Sequence, residues 1–387
     1  MRVLYVNHTA TVSGGERSLL DLLGALPEGI SATLATPPGA LMQLARERGV
    51  PVRAIRGTAG SLRMHPLHTP QALAEMGLAG AQVRRAATRE RAEVVHANSI
   101  RAGIVCGLGR PHAARVVHVR DCLPPGATAI ATMRLIAATA TTIVANSRYT
   151  ASSLLAAAPG APVEVVHNGV DLSRFDPQRI DRAAVRTGLG AASGELMLGV
   201  VAQLTPWKGQ DTAIRTLALL RAQGIEARLL LVGTARFVAS ATRFDNAAYV
   251  RELEALAAEL GVAERVSWLG EREDVPELIA ALDLLLLPSW EEPFGRAVIE
   301  AMALGVPVLA TEVGGPAEIL AGGGPGILLP PRDPEVWARA AATLAGDDAR
   351  RAAMGRAGRE RAAREFSLEA HAEAIASVYR RALAAAL

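Results

Sequence analysis

The sequence predicts an α/β protein in which two doubly wound domains face each other across a cleft. Short β-branched runs alternate with longer helical runs from one end of the chain to the other, which favours parallel βαβ units. The strand-like runs are continuously apolar, as in sheets covered on both faces. The alternation breaks once, in a polar segment at 167–181, so we expect a linker there. A length of 387 residues, half of them hydrophobic, suits two cores.

The first domain is predicted to span residues 1–170. Its strand candidates are RVLYV from Arg2, ATLAT from Ala32, EVVHA from Glu93, RVVHV from Arg115, TIVA from Thr142 and VEVV from Val163. Helical patterns separate them, such as ERSLLDLLGAL from Glu16 and the run from Thr69.

The second domain is predicted at 180–366. Its strand candidates are LMLGVVAQL from Leu196, ARLLLVG from Ala227, RVSWLG from Arg265, DLLLLP from Asp283, VPVLAT from Val306 and GILLP from Gly326. The Ala-rich amphipathic helix at 367–387 is expected to pack back on the first domain. Ligands of open α/β sheets bind beyond the carboxyl ends of the strands, so residues that follow each strand are the candidates for function.

Composition excludes several classes of protein. Of 41 basic residues only Lys208 is a lysine, the net charge is +3, and aromatic residues make up 3%, which argues against a nucleic-acid-binding protein. Cys106 and Cys122 cannot form a zinc site alone and indicate a reducing compartment. The N-terminus lacks a signal-peptide layout. The longest apolar stretch, Ala127–Ala145, contains Arg134 and reads as a helix followed by a strand. We therefore expect a soluble, cytoplasmic protein.

Two strand-to-helix turns carry anion-binding chemistry. In SGGERS, Gly14 and Gly15 allow close backbone approach at a helix N-terminus, although a tight turn explains them equally well. In QLTPWKGQD, Lys208 lies where a helix begins, and its ammonium can neutralise a phosphate. Because every other basic position is arginine, we favour a functional role for this lysine over a solvated one.

The segment EEPFGRAVIEAMALGVPVLATEVGGPAEIL holds a pair of carboxylates. Glu292 and Glu300 are eight residues apart, about two helical turns, but the irregular EPFG start would change their relative placement. Carboxylates accept hydrogen bonds from sugar hydroxyls, so the pair suits a ribose and a hexose. Gly314 and Gly315 form a further close-approach turn. His118 lies in the run RVVHV, where we expect it to follow the strand and its side chain to point into the cleft.

This segment resembles the E-x7-E motif of family 4 retaining glycosyltransferases, which have the GT-B fold of two Rossmann-like domains. The resemblance extends over nearly the whole chain, through the GG turn, VHNGVD at the linker, TPWKG, LLLVG, WLG and GGPAEIL. It implies transfer of a sugar from a nucleotide diphosphate sugar to a hydroxyl acceptor with retention of configuration, no cofactor and no metal. A lipid-linked acceptor would bring the protein to the inner face of the membrane; a polysaccharide or natural-product precursor would not.

The resemblance also implies roles for individual residues. Glu292 would hold the donor sugar beside the Phe294 and Gly295 backbone, Glu300 would bind the ribose, and Lys208 would meet the diphosphate. The other residues near the donor would be Gly14, Gly15, Gly270 and His118, of which His118 would contribute to the reaction.

One position departs from the family pattern. Many members carry an arginine five residues before the motif lysine, where this chain has Gln203. Either Lys208 carries more of the charge or another arginine substitutes, the candidates being Arg120, Arg148 and Arg296. The alternatives to a transferase are a nucleotide-sugar epimerase or hydrolase on the same fold, and a nucleotide-sugar-binding protein without catalysis.

Overall fold

The computed structural model describes residues 1–58, 68–235 and 244–386, with the backbone alone for 68–73. The chain divides into two compact units. The first unit contains Met1–Gly169 together with Leu368–Leu387, and the second contains Val170–Ser367. The division falls inside the polar segment in which the sequence predicts a linker.

The first unit is built on a parallel sheet of seven strands, in the order β3-β2-β1-β4-β5-β6-β7. The strands are β1 (Arg2–Val6), β2 (Ser31–Thr36), β3 (Val52–Ala54), β4 (Val94–Ala97), β5 (Ala114–Val119), β6 (Thr142–Ala145) and β7 (Val163–Val165). Six of them are the predicted strands. The sequence missed β3, because three residues around Arg53 are too few to show an apolar run.

In the part of this unit that the structure describes, six helices connect these strands. They are α1 (Gly14–Gly24), α2 (Ala40–Glu47), α3 (His68–Arg89), α4 (Ile100–Gly109), α5 (Ala127–Thr139) and α6 (Arg148–Ala157). Helices pack on both faces of the sheet, as parallel βαβ units require. One apolar cluster joins the sheet to α3, α4, α5 and α6, and another joins it to α1 and α2.

The second unit has a parallel sheet of six strands, in the order β10-β9-β8-β11-β12-β13. The strands, all predicted, are β8 (Leu196–Val201), β9 (Ala227–Val232), β10 (Val266–Gly270), β11 (Leu284–Leu287), β12 (Val308–Thr311) and β13 (Gly326–Leu329). The helices are α7 (Arg182–Gly188), α8 (Gln210–Ala222), α9 (Asn246–Glu259), α10 (Val275–Ala280), α11 (Arg296–Ala303), α12 (Gly315–Ile319), α13 (Pro334–Ala345) and α14 (Asp348–Glu365).

The last helix, α15 (Leu368–Ala386), belongs to the first unit. Its apolar face joins the cluster formed by α1 and α2. Near its centre the buried hydroxyl of Tyr379 donates to the hydroxyl of Tyr5 on β1 (2.8 Å) and contacts Nδ1 of His96 on β4 (2.8 Å). These bonds fix α15 on the sheet, since buried polar groups left without partners would cost free energy.

Strand order reverses beside the first strand of each sheet. β1 lies between β2 and β4, and β8 lies between β9 and β11. At such a switch point the loops leave the sheet in opposite directions and open a crevice for a ligand. The Gly14–Gly15 turn follows β1, Lys208 follows β8, and Glu292 follows β11, so these predicted residues lie at the two switch points.

Candidate functional site

The turn after β8 is held against the loop after β11. Residues Pro206–Lys208 form one turn of 3-10 helix, and Gly209 follows with φ of 72° before α8 begins. A Cβ atom on Gly209 would overlap the carbonyl oxygen of Pro288, so only glycine allows this approach. The amide of Trp290 donates to the carbonyl of Trp207 (2.8 Å) and closes the contact.

This contact brings together the two charged residues that the motifs single out. Nζ of Lys208 lies 2.6 Å from Oε2 of Glu292, and the two side chains are only 14% and 9% exposed. The hydroxyl of Ser289 donates to the same carboxylate oxygen (3.0 Å), while the ammonium lies 4.0 Å from the centre of the Trp207 ring. Because both side chains are largely shielded from water, the electrostatic attraction between them is stronger than it would be on the surface.

The loop that carries Glu292 is fixed by the turn after β12. The amide of Gly315 donates to the carbonyl of Glu292 (2.8 Å), and the amide of Glu292 donates to Val313 (3.3 Å). Gly314 has φ of 104°, and a Cβ on it would overlap the Glu292 carbonyl. The prediction of a close-approach turn is confirmed, and what approaches these glycines is the backbone of the Glu292 loop.

Glu292 and Glu300 do not share a helix. Helix α11 begins at Arg296 after Gly295, which has φ of 100° and ends the irregular loop. Glu300 lies one turn into α11, where Nη2 of Arg296 is 3.3 Å from its Oε1. Phe294 is buried and packs against Phe366, so what this residue presents to the site is its backbone. The expectation that the EPFG start changes the placement of the pair is confirmed.

Gln203 and Gly270 lie at the carboxyl ends of β8 and β10. The carbonyl of Gln203 accepts from the side chain of Gln210 (2.8 Å), and the carbonyl of Gly270 accepts from Gly233 (2.8 Å). Arg296 shares the second unit with Lys208, whereas Arg120 and Arg148 belong to the first unit.

One arginine in the second unit escaped sequence reasoning. The guanidinium of Arg332, which follows β13, lies 3.5 Å from the centre of the Trp290 ring. Trp290 adjoins the Glu291–Glu292 pair, so this cation lies at the same strand ends as Lys208. Its position after the last strand of the sheet was the signal that could have indicated it.

In the first unit, Gly14 and Gly15 open helix α1. Ser13 caps the helix, and its amide donates to Oε2 of Glu16 (3.0 Å) in a capping box. A Cβ on Gly15 would lie 3.6 Å from Cδ of Arg120, so the glycine turn borders this arginine.

Arg120 lies in a network of buried polar side chains. Its guanidinium donates to Asn98 (3.2 Å), Ser18 (3.0 Å) and Asn168 (2.6 Å). Asn98 donates in turn to Oδ1 of Asn7 (3.1 Å). Sequence reasoning did not single out Asn7 or Ser18, although Asn7 directly follows β1.

The prediction that His118 follows its strand is wrong. His118 lies within β5 and is fully buried, with its ring 5.4 Å from that of His96 and 6.3 Å from that of His371. Nη2 of Arg120 lies 3.2 Å from its Nδ1. Because a guanidinium only donates, Nδ1 accepts and the proton is on Nε2. Burial, with the charge of Arg120, lowers the pKa of His118 well below 6.5, so the ring is neutral at pH 7.

Two features are missing from the described parts of the chain. Nowhere in residues 1–58, 68–235 and 244–386 do three or more histidine, cysteine or acidic side chains gather as a metal site requires. No helix in the same residues is both long and apolar enough to cross a membrane.

Two family models match the chain, one for each half. Residues 12–174 match the model described as Glycosyltransferase Family 4, and residues 181–361 match the model described as Glycosyl transferases group 1. The boundary between the matches falls beside the boundary between the two compact units.

Individual proteins show the same likeness. The D-inositol 3-phosphate glycosyltransferase of Streptomyces avermitilis is 36% identical over 68% of this chain and 57% of its own length. The lipopolysaccharide core mannosyltransferase LpsB of Rhizobium meliloti is 31% identical over 61% of this chain and 64% of its own length. The chain thus spans little more than half the length of the first of these. The crystal structure of HepE from Anabaena with UDP-glucose matches 98% of this chain and all of its own, with a TM-score of 0.84 and 27% identity.

Proposed function

The chain belongs to the family 4 and group 1 glycosyltransferases, and from this premise we propose that it transfers a sugar from a uridine diphosphate sugar to a hydroxyl acceptor with retention of configuration. The observation that carries the proposal is the contact between Lys208 and Glu292 at the switch point of the second sheet. The likeness to HepE, whose crystal structure contains UDP-glucose, supports uridine as the base.

Sugar transfer is favoured by a positive charge beside the diphosphate, where negative charge develops as the donor bond breaks. The bond between the anomeric carbon and the diphosphate oxygen breaks, and the acceptor oxygen bonds to the same face of that carbon. The acceptor proton passes to the departing phosphate. Lys208 would stabilise the departing diphosphate, a role that is worth most where water is largely excluded. Glu292 would accept hydrogen bonds from the sugar hydroxyls.

The remaining residues are assigned by their position at the strand ends. Glu300, fixed by Arg296, would accept hydrogen bonds from the two hydroxyls of the ribose. Gln203 and Gly270 would border the nucleotide, and Gly14 and Gly15 would approach the donor from the first unit. His118 is assigned a positioning role, in which it orients Arg120, because its ring is fully buried.

The assay that tests the function measures donor consumption and product configuration together. UDP-sugars are incubated with and without hydroxyl acceptors, and the anomeric proton of the product is followed by NMR. Transfer with retained configuration is expected. Conversion of the donor without acceptor would instead identify an epimerase or a hydrolase, and binding without turnover would identify a binding protein.

Two further arms complete the assay. A thermal-shift series with UDP, GDP, ADP and dTDP should show the largest stabilisation with UDP, because a ligand that binds only the folded state raises stability with its occupancy. Turnover is expected to persist in EDTA, since we propose that Lys208 provides the charge that a metal provides elsewhere. Loss of turnover in EDTA, restored by added Mg²⁺, would contradict this part of the proposal.

A further inference from the structure

Helix α5 carries an outer face that is almost without charge. Its exposed positions are Ala127, Thr128, Ile130, Ala131, Arg134, Leu135 and Ala138. Ile130 and Leu135 are each 39% exposed. A helix at the surface of a water-soluble protein normally presents charged and polar side chains on its outer face, whereas this face offers one arginine among apolar residues.

The apolar face continues onto neighbouring helices. Six large hydrophobic side chains of the described residues are at least 39% exposed, and five lie on α3 to α6, namely Leu78, Leu108, Ile130, Leu135 and Leu155. The helices touch closely: Gly80 on α3 meets Gly109 on α4, and Gly107 on α4 meets Thr139 on α5. These contacts bring Leu78, Leu108 and Leu135 onto adjoining helices.

The charge on helices α4, α5 and α6 has one sign, whereas α3 carries Glu75. Helices α4, α5 and α6 contain no aspartate or glutamate, and their charged residues are Arg101, Arg134 and Arg148. Arg110, which caps α4 beside Leu108, adds another exposed arginine. The nearest carboxylate in the sequence, Asp121, precedes α5.

From this pattern we propose that the outer face of α5, with the exposed leucines of α4 and α6, binds the surface of an anionic lipid bilayer. Apolar side chains of this kind enter the boundary between head groups and acyl chains, and arginines beside them meet acidic head groups. A second copy of the chain fits less well, because a two-fold contact through α5 would oppose arginine to arginine without a carboxylate in any of the three helices. The inference does not depend on the proposed transferase activity.

The test is co-sedimentation of the full chain with vesicles. We expect binding to vesicles of phosphatidylcholine with about one-third phosphatidylglycerol, weaker binding at high salt, and little binding to phosphatidylcholine alone. Ile130→Ser with Leu135→Ser should weaken binding roughly tenfold or more, because each residue loses apolar burial. Arg134→Gln should weaken it roughly fivefold on anionic vesicles.

Matched controls separate the surface from general effects. Val165→Ser removes an apolar side chain of similar exposure from β7, and Arg356→Gln removes an exposed arginine from α14. Both should bind vesicles like the parent, and circular dichroism should show all variants folded. Absence of binding to anionic vesicles, or equal binding by the α5 variants, would overturn the proposal. So would a dimer in solution that the α5 variants dissociate, which would assign the face to a second copy.

Discussion

Nζ of Lys208 lies 2.6 Å from Oε2 of Glu292, although the two residues are separated by 84 positions in the chain. The pairing follows from topology, because β8 and β11 are adjacent and parallel and their carboxyl ends release both loops at one edge. A donor that places its diphosphate at Lys208 and its sugar at Glu292 would replace this internal contact with two contacts of its own.

Removal of the Lys208 ammonium should reduce turnover and leave the protein folded. Lys208→Ala is expected to lower kcat by roughly 10²–10³-fold, the usual loss for one group that stabilises transition-state charge. Steady-state kinetics with saturating donor measure this change. Arg215→Ala, which removes an exposed cation from α8, is the matched control and should be silent. Comparable kcat values for the two variants would remove Lys208 from the mechanism.

The two adjacent glutamates, Glu291 and Glu292, should differ in their effect on activity. Glu292 is buried and accepts from Lys208 and Ser289, whereas Glu291 is half-exposed. Glu292→Gln should therefore reduce kcat/KM roughly 10²-fold, while Glu291→Gln should stay within a few-fold of the parent. Product formation by both variants at equal protein concentration provides the comparison. The reverse order would move the sugar-binding role to Glu291.

The glycine behind the Glu292 loop should be intolerant of any side chain. Gly314→Ala forces a Cβ into the Glu292 carbonyl at φ of 104°, and we expect a cost of at least about 2 kcal/mol in the free energy of unfolding. Urea titration measures this cost, and donor affinity should fall with it. Gly346→Ala at the end of α13 meets no atom within 4 Å and has an ordinary φ, so it should be nearly neutral. Equal stability of the two variants would contradict the close packing of this turn.

The buried histidines of the first unit should make the protein sensitive to acid. Burial, with the charge of Arg120, lowers the pKa of His96 and of His118 well below 6.5. The folded state thus disfavours their protonation, so the stability they contribute is complete above pH 6.5 and is lost as the pH falls below it. Each would contribute a slope of about 1.4 kcal/mol per pH unit in that range.

Urea titrations between pH 7.5 and 5 test this dependence. His118→Gln should flatten the slope, whereas His112→Gln, at an exposed position, should leave it unchanged. Arg120 contributes to the same pH dependence, because its guanidinium donates to His118 and raises the free-energy cost of protonating the ring. A stability that does not change over this range would show that the histidines are not neutral and buried.

The sequence by itself determined the two-sheet plan, twelve of the thirteen strands in the described residues, and the candidate residues at the strand ends. It could do so because parallel strands buried on both faces appear as continuous apolar runs, and because turns at switch points need glycine and charge. The single lysine, Lys208, and the spacing of Glu292 and Glu300 could be recognised from the sequence alone.

Only the tertiary structure decided which of these residues meet. The order of the strands placed Lys208 against Glu292. The start of α11 at Arg296 separated Glu292 from Glu300. Contacts between the turn after β12 and the loop after β11 packed Gly314 against the backbone of Glu292. The tertiary structure also placed His118 inside β5 under α15, because a helix 250 residues later covers that face of the sheet. Contacts between distant segments depend on which faces of the helices and sheets pack together. The spacing of residues along the chain does not determine that packing.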